Sequence, residues 1–449
     1  DLCGIGLGQI DQTLPRFHVW TLGCQMNHSD SEEMAGALLA AGCAEADGLE
    51  SADLVVINSC AVTTTAEADT RKEVRRARRY NPHAFIVVTG CYAELAPEVL
   101  KELGADAVVP NARKAELPRV ILERFGLPSD PITTPPNEFW GAGERGLLNS
   151  RVRAFLKVQD GCQAGCAYCI IPRLRGKERH RDHREALAEA EALLRMGIKE
   201  IVLTGVRLGS YKGHPRGLAG LVEDLYHLGA KVRLSSIEPE DTGEDLLKVI
   251  GRYAPEVRPH LHLSLQTGSD RLLKLMGRRY DKAYYRELVQ RAYDLIPGFA
   301  LTTDVIAGLP TETEEEHRET LAFLEELRPT RVHAFTYTPR PKTRAASMPQ
   351  VPPEVRKRRT KELIALAQRL AEERIRPRLG ERVEVLVERV QGGEALGHTP
   401  DYYEARLEGE ARPGETVWAR VHGVEGYVLL GRVEGVKEGA RGPLELPVR

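Results

Sequence analysis

The 449-residue sequence predicts an α/β protein built in three parts. These are an N-terminal doubly wound parallel α/β domain, a central partial (β/α)6 barrel, and a small C-terminal antiparallel β-barrel. Three observations carry that reading. Short β-branched runs alternate with helical patterns from residue 17 to about 338, as parallel sheets require. A Pro- and Gly-rich stretch over residues 126–150 interrupts the alternation once. Beyond residue 380 the helical pattern stops, and short strands with Gly/Pro turns replace it. The expected parts are therefore 1–130, a linker over 131–150, 151–378 and 379–449.

In the first part, strands are expected at 17–21, 54–58 and 85–89, with helices at 30–41, 64–80 and 97–103; residues 107–110 and 114–125 repeat the unit. Each strand runs into a cysteine: Gly23-Cys24, Ser59-Cys60 and Gly90-Cys91. Open α/β sheets bind ligands beyond the carboxyl ends of their strands, so all three thiols fall on the ligand-binding edge. Thiolates are the preferred ligands of iron–sulfur clusters, and three of them one βα unit apart predict such a site on Cys24, Cys60 and Cys91. Cys43 reads as core, and Cys3 fits no site. In the linker, Gly141-x-Gly143-x-x-Gly146 has the letters of a dinucleotide fingerprint but no strand before it, so it is set aside.

In the second part, strands near 154–158, 200–204, 232–237, 260–266, 300–306 and 331–337 each precede a helical pattern. Examples are 184–196 and 281–295. Six parallel βα units make an open relative of the eightfold barrel, with chemistry at the carboxyl mouth. The polar strand ends there supply the expected cofactor contacts: Gly205, Ser236, Glu238, Gln266, Asp304 and Gly308. The two glycines would let backbone approach a nucleoside-sized ligand. His260 and His262 alternate with leucines and read as packing. An amphipathic basic helix over 354–377 closes this part. Strands at 383–387, 402–407, 417–421 and 427–433 form the third, a shape often used to hold RNA.

The chemistry centres on DGCQAGCAYCIIP, residues 160–172, which sets Cys162, Cys166 and Cys169 in a C-x3-C-x2-C spacing after a strand. Three thiolates leave one iron of a four-iron cube without a protein ligand, the logic of an open catalytic metal site. A thioredoxin-like pair would use Cys166 and Cys169 but not Cys162. A structural zinc site would need a fourth ligand, for which His180 and His183 are available.

Composition narrows the rest. Hydrophobic residues at 42% and charged residues at 29% are ordinary for a soluble globular chain. Eight cysteines in this length are too few for a disulfide scaffold, and six in metal-ligand patterns argue for a reducing cytoplasm. No apolar run reaches the ~18 residues of a membrane helix. The start, DLCGIGLGQIDQ, lacks the features of a signal peptide, and its missing Met reads as a processed or trimmed start. A net charge of −2 announces no nucleic acid, although 162–184 and 354–378 are locally basic.

With both cysteine sets placed, the chain from about 17 to 434 resembles the radical S-adenosylmethionine (SAM) methylthiotransferase family. The carriers are TLGCQMNHSDSE, VVINSCAVT, VTGCYAE, the DGC…YCIIP stretch with its RLRG tail, LTGVRLGSY, LSLQTGSDRLLKLMGRRY and VIAGLPTET. The resemblance implies a TRAM domain at the C-terminus and two [4Fe–4S] clusters. It also implies replacement of C–H by C–S–CH3 at the cost of two SAM molecules. One SAM, held on the open iron of the Cys162/Cys166/Cys169 cluster with Tyr168 against its adenine, would supply a 5′-deoxyadenosyl radical. The cluster on Cys24, Cys60 and Cys91 would present the sulfur. The implied partners are the anticodon stem-loop of tRNA and an electron donor such as flavodoxin or ferredoxin, in the cytoplasm and away from membranes.

Family branches act on N6-threonylcarbamoyladenosine in tRNA, on N6-isopentenyladenosine in tRNA, or on an aspartate of a ribosomal protein. INSCAVTTTAEADTRKEVRRARR and MGRRY resemble the threonylcarbamoyl branch, and TLGCQMN the isopentenyl branch. A threonylcarbamoyl group carries a carboxylate, so cations are expected at the mouth. Arg278, Arg279, Arg340, Lys342 and Arg344 are the candidates.

Overall fold

The computed structural model describes residues 14–127 and 152–437. Cys3 and the Gly141–Gly146 motif lie outside these residues. The chain divides into two units, Asp1–Gly146 and Leu147–Arg449.

The first unit is a five-stranded parallel sheet. Its elements are β1 (Arg16–Thr21), α1 (Gln25–Ala40), β2 (Ala44–Glu45), β3 (Leu54–Ser59), α2 (Thr64–Tyr80), β4 (Phe85–Gly90), α3 (Cys91–Leu95), α4 (Pro97–Glu102), β5 (Ala107–Val108) and α5 (Leu117–Arg124). The strand order β2-β1-β3-β4-β5 puts β1, β3 and β4 side by side. Central β3 is buried along its length, as a parallel strand covered on both faces must be. Helix α1 starts at Gln25 rather than at residue 30. Its first turns, QMNHSDSE, are polar yet largely buried, so hydrophobic periodicity gives no sign of them.

The second unit opens with β6 (Arg153–Asp160), α6 (Ile171–Arg175), β7 (Arg179–His180), α7 (His183–Arg195), β8 (Glu200–Gly205), α8 (Gly217–His227), β9 (Lys231–Leu234) and α9 (Glu244–Tyr253). It continues with β10 (His260–His262), α10 (Asp270–Leu275), α11 (Lys282–Leu295), β11 (Ala300–Ala307), α12 (Glu314–Leu327), β12 (Arg331–Thr336) and α13 (Pro353–Ile375). Strands β6, β8 and β9 pair in parallel, as do β10, β11 and β12. Isolated parallel bridges Val232↔Val257 and Ile237↔Leu263 join the two sheets into an open six-stranded barrel. Ala154, Leu156, Val158, Ile201 and Leu203 lie in the core that packs on the helices. The alternate residues, among them Lys157, Gln159, Glu200 and Thr204, face the barrel interior.

The C-terminal β-barrel closes as β13-β14-β15-β17-β16. Its strands are β13 (Arg382–Gln391), β14 (Glu394–His398), β15 (Glu404–Glu408), β16 (Thr416–Glu425) and β17 (Val428–Val436). It has one strand more than its sequence pattern suggests. In β14 a Cβ on Gly397 would sit 2.0 Å from the Leu386 carbonyl oxygen, so close strand approach forces glycine where a β-branched residue would have marked a strand. One pair, β15 with β17, is parallel, and the others are antiparallel.

This small barrel is fixed to the amino-terminal ends of the strands of the larger one. Buried Glu200 accepts from Arg233 Nε at 3.0 Å and Arg258 Nε at 2.6 Å, and Arg153 Nε lies 3.0 Å away. Arg153 and Arg258 also reach Glu388 and Glu384 of β13, at 3.2 and 3.5 Å. Tyr402, in the left-handed region at φ 73°, packs against His260, His398 and the Arg233 guanidinium.

Candidate metal centres

In the first unit, strand register alone brings three cysteines to one edge. Asn58 pairs with Thr21 on one side and Thr89 on the other, so Cys24, Cys60 and Cys91 follow strands that end level. Two left-handed glycines keep the strand ends close. A Cβ on Gly23 (φ 94°) would lie 2.7 Å from Cys60 Sγ, and one on Gly90 (φ 90°) 2.4 Å from the Ser59 carbonyl oxygen. Cys24 is exposed, whereas Cys60 and Cys91 are buried.

Buried amides lock this edge. Asn27 Nδ2 donates to the carbonyls of Leu22 and Ser59, and Asn58 Nδ2 donates to the Asn27 carbonyl and Ser31 Oγ. Ser59 Oγ accepts from the Tyr92 and Ala93 N–H groups at the start of α3. Sequence reasoning found the cysteines but missed Asn27, Asn58 and Ser59. The available signal was polar residues crowding a predicted buried strand end.

In the second unit, Cys162, Cys166 and Cys169 lie on the loop that leaves β6, each half-buried. Gly161 (φ 74°) starts the loop, and a Cβ there would fall 2.0 Å from the Lys177 carbonyl oxygen. Asp160, paired with Arg175 and Arg179, accepts from the Gly161 N–H at 2.7 Å. On the other side the Ala167 N–H donates to Met276 O, and the Ala345 N–H donates to Ala167 O. Gly161→Ala is therefore expected to displace the loop. If the loop cysteines bind iron, the purified, iron-reconstituted variant should hold less iron than the wild type; wild-type iron content would refute the steric role.

One buried cation faces the cysteine loop, while burial opposes ionised thiols. Arg278, buried, donates from Nη1 to Cys166 Sγ at 3.2 Å and from Nε to the Tyr280 hydroxyl, and it pairs with Glu238. Burial pushes the Cys169 thiol up to about 12 and raises that of Cys162. Without a cation these groups stay neutral; a metal would deprotonate them. Among the described residues, no three His, Cys, Asp or Glu side chains are placed to hold a single metal ion. That is the arrangement zinc needs, whereas a four-iron cube takes one thiolate per iron. The donor set fits the cube.

The remaining candidates separate. Tyr168 packs against the cluster of Ala167, Met276, Leu309, Tyr337 and Ala345. Gln266 (φ 71°) bridges to β11, donating from N to Asp304 O and accepting from Ile306 N. Asp304 lies 3.2 Å from His262 Nε2 and 3.8 Å from His333 Nδ1. His260 and His262 share the Thr302 hydroxyl, so they belong to this polar interior. Ser236 is exposed.

Other candidates have partners within the protein. The space a Cβ would take at Gly308 is filled by Arg356, and at Gly205 by Gln159 and Leu208. Glu238 is committed to Arg278. Arg278 in turn is taken up by Cys166, Tyr280 and Glu238 beside the cysteine loop, and Arg340 is buried. Arg279, Lys342 and Arg344 are exposed, and Arg344 Nη2 donates to the Gly165 carbonyl of the cysteine loop at 3.1 Å.

Two family models match this chain, one in each unit. Residues 16–110 match the model of the uncharacterized protein family UPF0004, and 156–324 that of the radical SAM superfamily. The threonylcarbamoyladenosine tRNA methylthiotransferase MtaB of Chlamydia pneumoniae is 36% identical, over 93% of this chain and 98% of its own. MtaB of Bacillus subtilis is 35% identical, over 88% and 90%. The tRNA-2-methylthio-N(6)-dimethylallyladenosine synthase of Chloroflexus aurantiacus is also 35% identical, over 86% and 84%. Among solved structures, the radical SAM methyltransferase TsrM of Kitasatospora setae shares the fold. Its TM-score is 0.52 at 16% identity, over 71% of this chain and 73% of that one.

Proposed function

The chain belongs to the radical SAM methylthiotransferase family, and from that premise we propose that it methylthiolates carbon 2 of N6-threonylcarbamoyladenosine beside the anticodon of tRNA. A [4Fe–4S] cluster and SAM, when bound, supply radical chemistry, and a second cluster supplies sulfur. On this reading Cys162, Cys166 and Cys169 hold the first, and Cys24, Cys60 and Cys91 hold the second. Arg278 places positive charge against the first thiolate set, and Glu238 fixes the guanidinium. Tyr168, Gln266 and Asp304 line the strand ends where the cofactor would sit. The reductant is an external donor such as flavodoxin or ferredoxin.

The observation that carries the substrate is the exposed cation set beside the cysteine loop. Arg344 is hydrogen-bonded to the loop itself, Arg279 follows the arginine that touches Cys166, and Lys342 lies in the same segment as Arg344. A carboxylate on the adenosine substituent would meet them, whereas an isopentenyl group would gain nothing from charge. A charge-assisted pair contributes ~1.5–3 kcal/mol, about tenfold or more in preference. Anticodon stem-loops carrying either substituent, offered to the reconstituted enzyme, should show that preference in kcat/KM, and Arg344→Gln should erase most of it. Faster turnover of the isopentenyl form would move the chain to the other branch.

A further inference from the structure

We propose that the solvent face of α2 is a phosphate-tracking surface that holds the RNA backbone against the first unit. Three basic segments mark this chain, and the structure treats them differently. On α13, Arg358, Arg359 and Arg369 are neutralised by Glu314, Glu312 and Glu373, and beyond it Arg378 pairs with Asp401. After the cysteine loop, Arg175 and Arg179 pair with Asp160, Arg181 with Glu189 and Arg184 with Asp182. Those paired arginines serve the fold; Arg173, Lys177, Lys357, Lys361 and Arg376 of the same segments are exposed and, among the described residues, have no acid within ion-pair distance, but no aromatic ring lies beneath them as on α2.

On α2 the buried side is Thr70, Val74 and Ala77, while Lys72, Arg75, Arg76 and Arg79 are exposed at i, i+3, i+4 and i+7 spacing. Among the described residues, Lys72, Arg75 and Arg79 have no acidic side chain within ion-pair distance; Arg76 reaches Glu73 at 3.5 Å. Asp69 is the acid on the exposed side of this helix, and Glu67 and Glu73 are half-buried.

Unneutralised cations on a protein of net charge −2 call for an anion from outside. Two features select a nucleic acid over an acidic protein. Arginines dominate, and their planar fork matches phosphate oxygens. Aromatic rings interleave them: Arg76 lies over Trp20 at 4.9 Å, and Arg79 over half-exposed Tyr80 at 5.0 Å, a platform on which a base can stack. The helix begins just after Cys60, so a strand tracked along it leads to the edge where the cysteines gather.

This inference rests on the tRNA reading, and the test separates the two. Binding of an anticodon stem-loop to the wild type, to the triple variant Lys72→Gln/Arg75→Gln/Arg79→Gln, and to the α13 control Arg358→Gln/Arg369→Gln should be titrated between 50 and 200 mM salt. Each phosphate contact adds about 0.7–0.9 to the slope of log K against log salt. Over that range the wild type should therefore lose about twenty- to fortyfold more affinity than the triple variant, and the control should follow the wild type. Iron content and unfolding midpoint serve as checks of folding. Equal slopes in wild type and triple variant, with tight binding in both, overturn the α2 surface and leave the tRNA reading standing. Absence of wild-type binding overturns both. A triple variant that binds RNA normally but no longer accepts electrons from a reduced flavodoxin assigns the face to an acidic protein instead.

Discussion

Replacing Cys162, Cys166 and Cys169 together with alanine should abolish methylthiolation and leave about half of the iron. Two independent triads predict roughly eight irons in the anoxically reconstituted wild type and four in this variant. The converse variant, lacking Cys24, Cys60 and Cys91, should also fail to methylthiolate, yet it should still cleave SAM reductively. The reasoning is spatial: each triad is held by its own strand ends and its own glycines, so neither needs the other to form. Iron assay with product analysis decides it. Complete loss of iron from the first variant, or loss of SAM cleavage from the second with its remaining cluster intact, would break the division of labour.

The largest stability effect is expected at Glu200. Burial alone would raise the pKa of this carboxylate, but the charges of Arg233, Arg258 and Arg153 outweigh that cost and hold it well below the ordinary range. Glu200→Gln leaves three inward guanidiniums without their shared anion, and breaking such a buried set costs ~3–5 kcal/mol. Denaturant unfolding should show the loss at neutral pH. Because the folded pKa is depressed, this contribution is present above the unfolded value of about 4.3, and it disappears as pH falls through the lower folded value. A variant within about 1 kcal/mol of wild type would mean that Glu384 and Glu388 carry the arginines unaided.

How much of this was legible from sequence depended on whether a feature is local. Strands such as Leu54–Ser59 and helices such as Thr64–Tyr80 follow from periodicity, and the cysteines follow from standing at strand ends. Arg278 was legible as a cation near the mouth but not as the partner of Cys166, because residues 112 apart in sequence meet only through the fold. At Gly205 and Gly308 the neighbours Gln159 and Arg356, 46 and 48 residues away, stand where a Cβ would go, and sequence alone does not show them. The polar start of α1 and the glycine strand β14 were missed because tertiary packing overrides local propensity there.

An RNA held by both the reacting mouth and the small β-barrel has a minimum length, because that barrel is fixed to the amino-terminal strand ends. The cysteine loop leaves the opposite, carboxyl end of the same strands, and β11 alone spans eight residues, about 26 Å. Any RNA that touches both the reacting mouth and the small barrel must bridge that thickness. At ~3.4 Å or less of rise per nucleotide it needs about eight stacked steps. A stacked loop shorter than that cannot do so by itself; a stem must continue past it. Shortening the stem should therefore weaken capture at a definite number of base pairs, as a ruler would, while the base that reacts stays the same.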